Sequence, residues 1–184
     1  MLIPELDTYS SFDTTLLCPK NMGDEAPWAF VVLPLQVSEK LPRRGRMTVN
    51  VLLNGHAAQV LLEPDGQKSH WFKVDNDWLK ETGCEFDQRV QIELDMIKPE
   101  PEPEVPQDLN QALHNAPDAL NTWLATTTIA RIDWIHWIVT AKQAKTRDKR
   151  IHDACDMLAK GKKRVCCFDP SGFYSKAFGA PKTM

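Results

Sequence analysis

Apolar and polar positions alternate most cleanly from Gly45 to Trp71 (GRMTVNVLLNGHAAQVLLEPDGQKSHW). Two β-branched runs flank Asn54-Gly55, the dipeptide that favours a two-residue hairpin loop. Such a loop fixes the register. Leu53 stands opposite His56, Val51 opposite Ala58, Val49 opposite Val60 and Met47 opposite Leu62. Side chains alternate with period two, so these residues share one almost wholly apolar face. The other face pairs Asn50 with Gln59, Thr48 with Leu61 and Arg46 with Glu63, and is mostly polar. The pattern is that of a sheet with one side on a core. The same register makes Arg46 a cross-strand ion-pair partner of Glu63 rather than a binding residue.

The pattern extends on both sides of the hairpin. Phe12–Cys18, Trp28–Leu33, Lys68–Val74 and Gln88–Ile97 read as further strands, the last with Val90, Ile92, Leu94 and Met96 on one face. Pro34 turns the next residues into an edge or a turn. Asp75 has the chemistry of an N-cap for a short helix, with Trp78 and Leu79 inward and Gly83 as its stop. Six short strands at this spacing suggest a small closed β-barrel, which also removes exposed strand edges.

At Lys98–Pro106 (KPEPEPEVP) the alternation ends. Alternating Pro and Glu favours an extended, stiff linker. Beyond it the apolar period becomes helical. The pattern predicts helices over Asp108–His114, over Pro117–Ala125 with its proline at the first position, and over Ile129–Lys142 after N-cap threonines 126–128. A last one runs from a Thr146 cap to Lys160, with Gly161 as its stop. Ile129, Ile132, Ile135 or His136, and Val139 form the expected inward stripe of the third helix, widened by Trp134, Trp137 and Ile138, and Ile151, Ala154, Cys155 and Leu158 that of the fourth. The expected organisation is α+β: a closed barrel of about six strands with one short helix at 8–98, a linker at 99–107, a small helical domain at 108–165 and an irregular tail at 166–184.

Composition adds bounds. The chain has 184 residues, 42% hydrophobic and 26% charged, ordinary globular values. No apolar run reaches membrane-spanning length, and the first residues lack the basic start and apolar stretch of a secretory leader, so a cytoplasmic protein is expected. Five cysteines are then reduced thiols rather than a disulfide framework. The net charge of −3 is split: residues 1–107 carry −8 and residues 108–184 carry +5. The basic share concentrates in Lys142–Arg164, where nine Lys and Arg face three Asp.

Three constellations are candidates for chemistry. The basic run offers Lys142, Arg147, Arg150, Lys162 and Arg164 to an anionic partner, or is a solvated helix face; no nucleic-acid-reading motif surrounds it, and the acidic barrel would repel nucleic acid. His152 and Cys155 share a helix face, and Cys166 and Cys167 follow. Adjacent cysteines present two ligands poorly to one tetrahedral ion and no C-x-x-C occurs, so no metal is expected. Lys163 and Arg164 would activate Cys166 or Cys167 if exposed, which leaves a thiol-based redox or other enzyme as an alternative. His56, His70 and Trp71 would line a barrel mouth as a ligand pocket, or the histidines are half-buried rim residues. There is no Ser-His-Asp spacing, no phosphate-cradling glycine loop and no cofactor motif, so no catalytic residue and no cofactor are assigned.

The segments RGRMTVNVLLNGH (44–56), LEPDG (62–66), ARIDWIHWI (130–138), AKQAKTRDKRI (141–151) and MLAKGKKR (157–164) together resemble the YdeI/OmpD-associated, bacteriocin-protection-like family. Its members join a small β-barrel domain of unknown function to a helical domain with a T-R-x-x-R-I signature, here Thr146, Arg147, Arg150 and Ile151. The tail RVCCFDPSGFYSK (164–176) goes beyond that pattern. The resemblance implies a bacterial binding or stress-protection module acting against bacteriocins or cationic peptides, with an unidentified small ligand or protein partner and no established reaction or site residues.

Overall fold

The computed structural model describes residues 7–165, 168–174, 176 and 178–184. By its contacts the chain divides into two units, one of residues 1–99 with 169–184, the other of residues 100–168.

The first unit is built on six antiparallel strands: β1 (Ser10–Thr15), β2 (Ala29–Val32), β3 (Met47–Leu53), β4 (His56–Pro64), β5 (His70–Val74) and β6 (Arg89–Met96). They run in the order β1-β6-β3-β4-β5-β2. The hairpin register is the expected one at every position, and Asn54 and Gly55 take the positive φ values, 46° and 85°, of its turn. The sheet is a half-barrel, open rather than closed. Proline explains the difference. Pro27 and Pro34 flank a four-residue β2, too short to ladder along β1, so among the described residues the two ends meet at one bridge, Leu17 with Phe30. The core lies on one face, where Val49, Leu53, Leu62, Phe72, Ile92 and Leu94 are almost fully buried.

Two short helices complete this unit. α2 (Asn76–Thr82) starts as expected, the Asp75 carboxylate accepting from the Trp78 amide at 2.9 Å, and stops at left-handed Gly83. α1 (Leu35–Glu39) stands where a turn was expected. Pro34 holds the N-cap position, where a missing N–H costs nothing, so the proline opens a helix instead of only ending a strand.

The second unit holds α3 (Gln107–His114), α4 (Pro117–Ala125), α5 (Thr128–Val139) and α6 (Ala144–Ala159). Thr127 caps α5 by accepting from the Ala130 amide at 3.1 Å. Thr146 does not cap α6; the N-cap lies three residues earlier, at Gln143. The inward stripe of α5 keeps Ile132, Trp134 and Ile138 of the expected one and shifts at its edges. Ala130, Ile132, Trp134 and Ile138 are buried, whereas Val139 is exposed, because the large Trp134 side chain takes the centre of the core. On α6, Ile151, Ala154 and Leu158 are buried as expected and Cys155 is half-buried. The Pro/Glu segment is tied to this unit. Arg131 donates to the Glu102 carboxylate through Nε and Nη2, and Val105 packs against the helical core.

Candidate functional site

The polar face of the hairpin turns away from the core and carries a cleft of about 470 Å³. Two neighbouring rows of the register build it. Asn50 lies between Gln59 and Asp95, and Leu52 lies between Ala57 and Glu93. Leu52 and Ala57 form an apolar floor, and the single methyl of Ala57 leaves the space open. The segment before β1 supplies a wall. The Tyr9 hydroxyl donates to Glu93 Oε1 at 2.7 Å and the Thr8 hydroxyl to Asp95 Oδ1 at 2.5 Å. Lys40 donates from Nζ to the Tyr9 carbonyl at 3.1 Å, away from both carboxylates. The hydrogen bond to ionised Glu93 raises the Tyr9 phenol above its ordinary pKa, since that carboxylate disfavours a second negative charge beside it. The cleft therefore presents two carboxylates, two carboxamides and an aromatic ring above an apolar floor. It suits a ligand with cationic hydrogen-bond donors and an apolar body.

The three residues expected to line a barrel mouth are not brought together. His56 sits at the hairpin tip, 3.7 Å from Glu81 and 39% exposed. His70 is fully buried on the core side of β5. Its Nε2 lies 3.0 Å from the Gly45 carbonyl and its Nδ1 2.6 Å from the Ser38 hydroxyl. The carbonyl can only accept, so Nε2 carries the hydrogen and Ser38 donates to Nδ1. A hydroxyl on an imidazole resembles an activated nucleophile, but Ser38 is only 4% exposed, and the pair serves as a staple between α1, β5 and Gly45. Burial lowers the His70 pKa, against smaller upward pulls from the Gly45 hydrogen bond and Asp65. Trp71 is on the opposite face of β5, edge-on to Phe30 with ring centroids 6.0 Å apart. Arg46 does meet Glu63, at 3.5 Å, but it is 2% exposed and lies 4.7 Å over the Phe178 ring.

The T-R-x-x-R-I residues work inside the helical unit. Arg147 forms a two-point pair with Asp108 on α3, Nε to Oδ2 at 2.7 Å and Nη2 to Oδ1 at 3.0 Å. Arg150 donates to the Trp137 carbonyl at 2.5 Å and stacks 5.4 Å over the Trp137 ring, which satisfies a carbonyl at the end of α5. Ile151 is buried in the helical core. The signature thus ties α6 to α3 and α5. Residues 102–161 match the family model described as Bacteriocin-protection, YdeI or OmpD-Associated, and residues 12–94 match a Domain of unknown function (DUF1905). The helical segment is thus a YdeI/OmpD-associated domain, joined to an N-terminal domain of unknown function. No curated protein matches the chain.

The cleft falls in the DUF1905 segment except for Tyr9 and Asp95, and the tail from Asp169 lies beyond both matched segments. Of the basic candidates, Lys142, Lys162 and Arg164 are exposed, whereas Arg147 and Arg150 are engaged as described. Cys166 and Cys167 lie outside the described residues. Cys18 and Cys84 are buried, and burial raises the Cys155 thiol above its ordinary pKa, which opposes reactivity. Among the described residues no group of His, Cys, Asp and Glu is arranged to hold a metal ion. Among the described residues no helix is long and apolar enough to cross a membrane. Sequence reasoning missed Tyr9, Asn50, Ala57, Gln59, Glu93 and Asp95 as a site. The signal available was the register itself, which placed Asn50 opposite Gln59 on the polar face.

Proposed function

We propose that the protein is a non-enzymatic bacterial binding and protection module whose outer-face cleft takes a cationic ligand with an apolar body. A cationic, bacteriocin-like peptide is the class that the family description suggests. The observation that carries the reading is the placement of Glu93, held by Tyr9, and Asp95, held by Thr8, above the Leu52–Ala57 floor. Charge supports it, since residues 1–99 carry 10 Lys and Arg against 15 Asp and Glu, and such an excess attracts cations over distances of about a Debye length, ~8–10 Å. Protection would then act by sequestration, which needs affinity but no reaction.

The test is titration of a short peptide of alternating Lys and Leu, read by amide chemical shifts, against its Glu-Leu counterpart. The Lys-Leu peptide is expected to shift Asn50, Ala57, Gln59 and Glu93, and Glu93→Gln/Asp95→Asn to weaken binding at least tenfold. Binding that ignores both carboxylates would reject the cleft as the site.

A second reading concerns the helical unit, where Lys160, Lys162, Lys163 and Arg164 follow one another in exposed positions at the end of α6. It makes this end a contact for an anionic partner. Retention on heparin at low salt, lost in Lys162→Glu/Arg164→Glu, would support it; unchanged retention would end it.

A further inference from the structure

The outer-face cleft is ordered in two directions. Along β6, Glu93 and Asp95 stand two residues apart on one face, about 6.7 Å in a strand. Across the strands, at about 4.8 Å a step, two rows run away from that pair. One is Glu93, Leu52, Ala57 and the other is Asp95, Asn50, Gln59. Beyond its carboxylate the first row is apolar, whereas the second carries carboxamides. A ligand lying across the strands therefore places its cation on β6, an apolar edge over Leu52 and Ala57, and a hydrogen-bonding edge over Asn50 and Gln59.

The carboxylates are held from one side. Tyr9 donates to Glu93 Oε1 and Thr8 to Asp95 Oδ1, which also accepts from the Met96 amide at 2.9 Å. Among the described residues Glu93 Oε2 and Asp95 Oδ2 carry no hydrogen bond, and neither carboxylate is in an ion pair. The two free oxygens thus belong to different side chains. A compact ammonium is a point charge that suits one of them; a planar guanidinium, with five donors in a rigid fork, can bond both at once. The aliphatic stem of an arginine covers apolar surface while its head stays polar, which is the order of groups along the Glu93–Leu52–Ala57 row. The Tyr9 ring, tied down through its hydroxyl and 46% exposed, offers a face for the guanidinium plane.

We propose, resting on the reading of this cleft as a cation site, that it is an arginine subsite for a cationic peptide. The guanidinium bridges Glu93 and Asp95, the stem lies on Leu52 and Ala57, and the adjoining main-chain amide meets the Asn50 and Gln59 carboxamides. Lysine enters the same cleft through one carboxylate and binds more weakly.

The test uses the full chain and peptides of equal length in which Leu alternates with Arg, with Lys or with citrulline, the uncharged isostere of arginine. Affinities are measured by calorimetry. The Arg-Leu peptide is expected to bind the unaltered protein at least tenfold more tightly than the Lys-Leu peptide, and the citrulline-Leu peptide not to bind. Glu93→Gln alone and Asp95→Asn alone should each bring the Arg-Leu affinity down to that of Lys-Leu, since either removes one end of the bridge. Ala57→Leu, which fills the floor and leaves both carboxylates, should do the same. The comparison on the unaltered protein needs no variant to fold. Equal affinities for Arg-Leu and Lys-Leu, both lost in Glu93→Gln/Asp95→Asn, would overturn the arginine assignment and leave the cation reading standing. An Arg preference that survives both single substitutions would also overturn it, and no binding of either peptide would overturn both readings.

Discussion

The β unit and the helical unit carry opposite charge and use it in opposite ways. In the helical unit the arginines find partners within the unit: of the family signature, Arg147 holds Asp108 and Arg150 closes the end of α5 on Trp137, and outside the signature Arg131 holds Glu102. In the β unit the carboxylates of Glu93 and Asp95 remain on an open face beside an aromatic ring. A recurring motif of charged residues is therefore not by itself a binding site. What separates the cases is the partner's charge: among the described residues the arginines Arg147 and Arg131 meet carboxylates, whereas Glu93 and Asp95 meet only neutral donors, the hydroxyls of Tyr9 and Thr8 among them.

Four substitution experiments would break or sharpen that contrast. The largest effect is expected at Trp134, fully buried in the helical core with its indole N–H on the Lys163 carbonyl at 3.2 Å. Trp134→Ala should cost roughly 3–5 kcal/mol in chemical denaturation. Arg150→Ala comes next, at about 1–2 kcal/mol, because it removes both a charged hydrogen bond to a helix-end carbonyl and the stacking on Trp137. If Arg150→Ala instead leaves stability unchanged and abolishes a binding activity, the inward reading of the signature fails.

The third experiment is a pH series. With His70 held below its ordinary value by burial, the unfolded chain takes up a proton below about pH 6.5 before the folded protein does. Stability is then complete above that pH and falls as the pH drops, by at most about 1.4 kcal/mol per pH unit for one proton. His70→Gln should flatten this dependence in thermal unfolding between neutral and mildly acidic pH; an unchanged slope would assign it to other groups. The smallest stability effect is expected for Glu93→Gln/Asp95→Asn, within about 0.5 kcal/mol of the parent, because both side chains sit on the outer face. A large destabilisation there would make the carboxylates structural, like the helical arginines, and remove the contrast.

The strands and most helices were legible because they rest on local periodicity. The Asn54-Gly55 turn fixed every pair from Met47–Leu62 to Leu53–His56. What failed depended on elements distant in the chain. Closure of the sheet turned on how far β2 extends between Pro27 and Pro34, and its pattern does not state this. The burial of Arg46 depends on Phe178, which lies in a stretch without periodicity. The cleft was hidden for a related reason. A polar sheet face reads as solvated surface, and only the placement of Tyr9 beside Glu93, 84 residues away in sequence, gives it a wall.

The central claim is that the cleft, and not the signature, binds a cationic ligand. It is tested most directly by mapping amide shifts on addition of the Lys-Leu peptide to the parent protein, to Arg147→Ala and to Glu93→Gln/Asp95→Asn. Shifts confined to the rows of Asn50–Gln59 and Leu52–Ala57, kept in Arg147→Ala and lost in the carboxylate variant, are the predicted result. Shifts centred on α6 and lost in Arg147→Ala would contradict it.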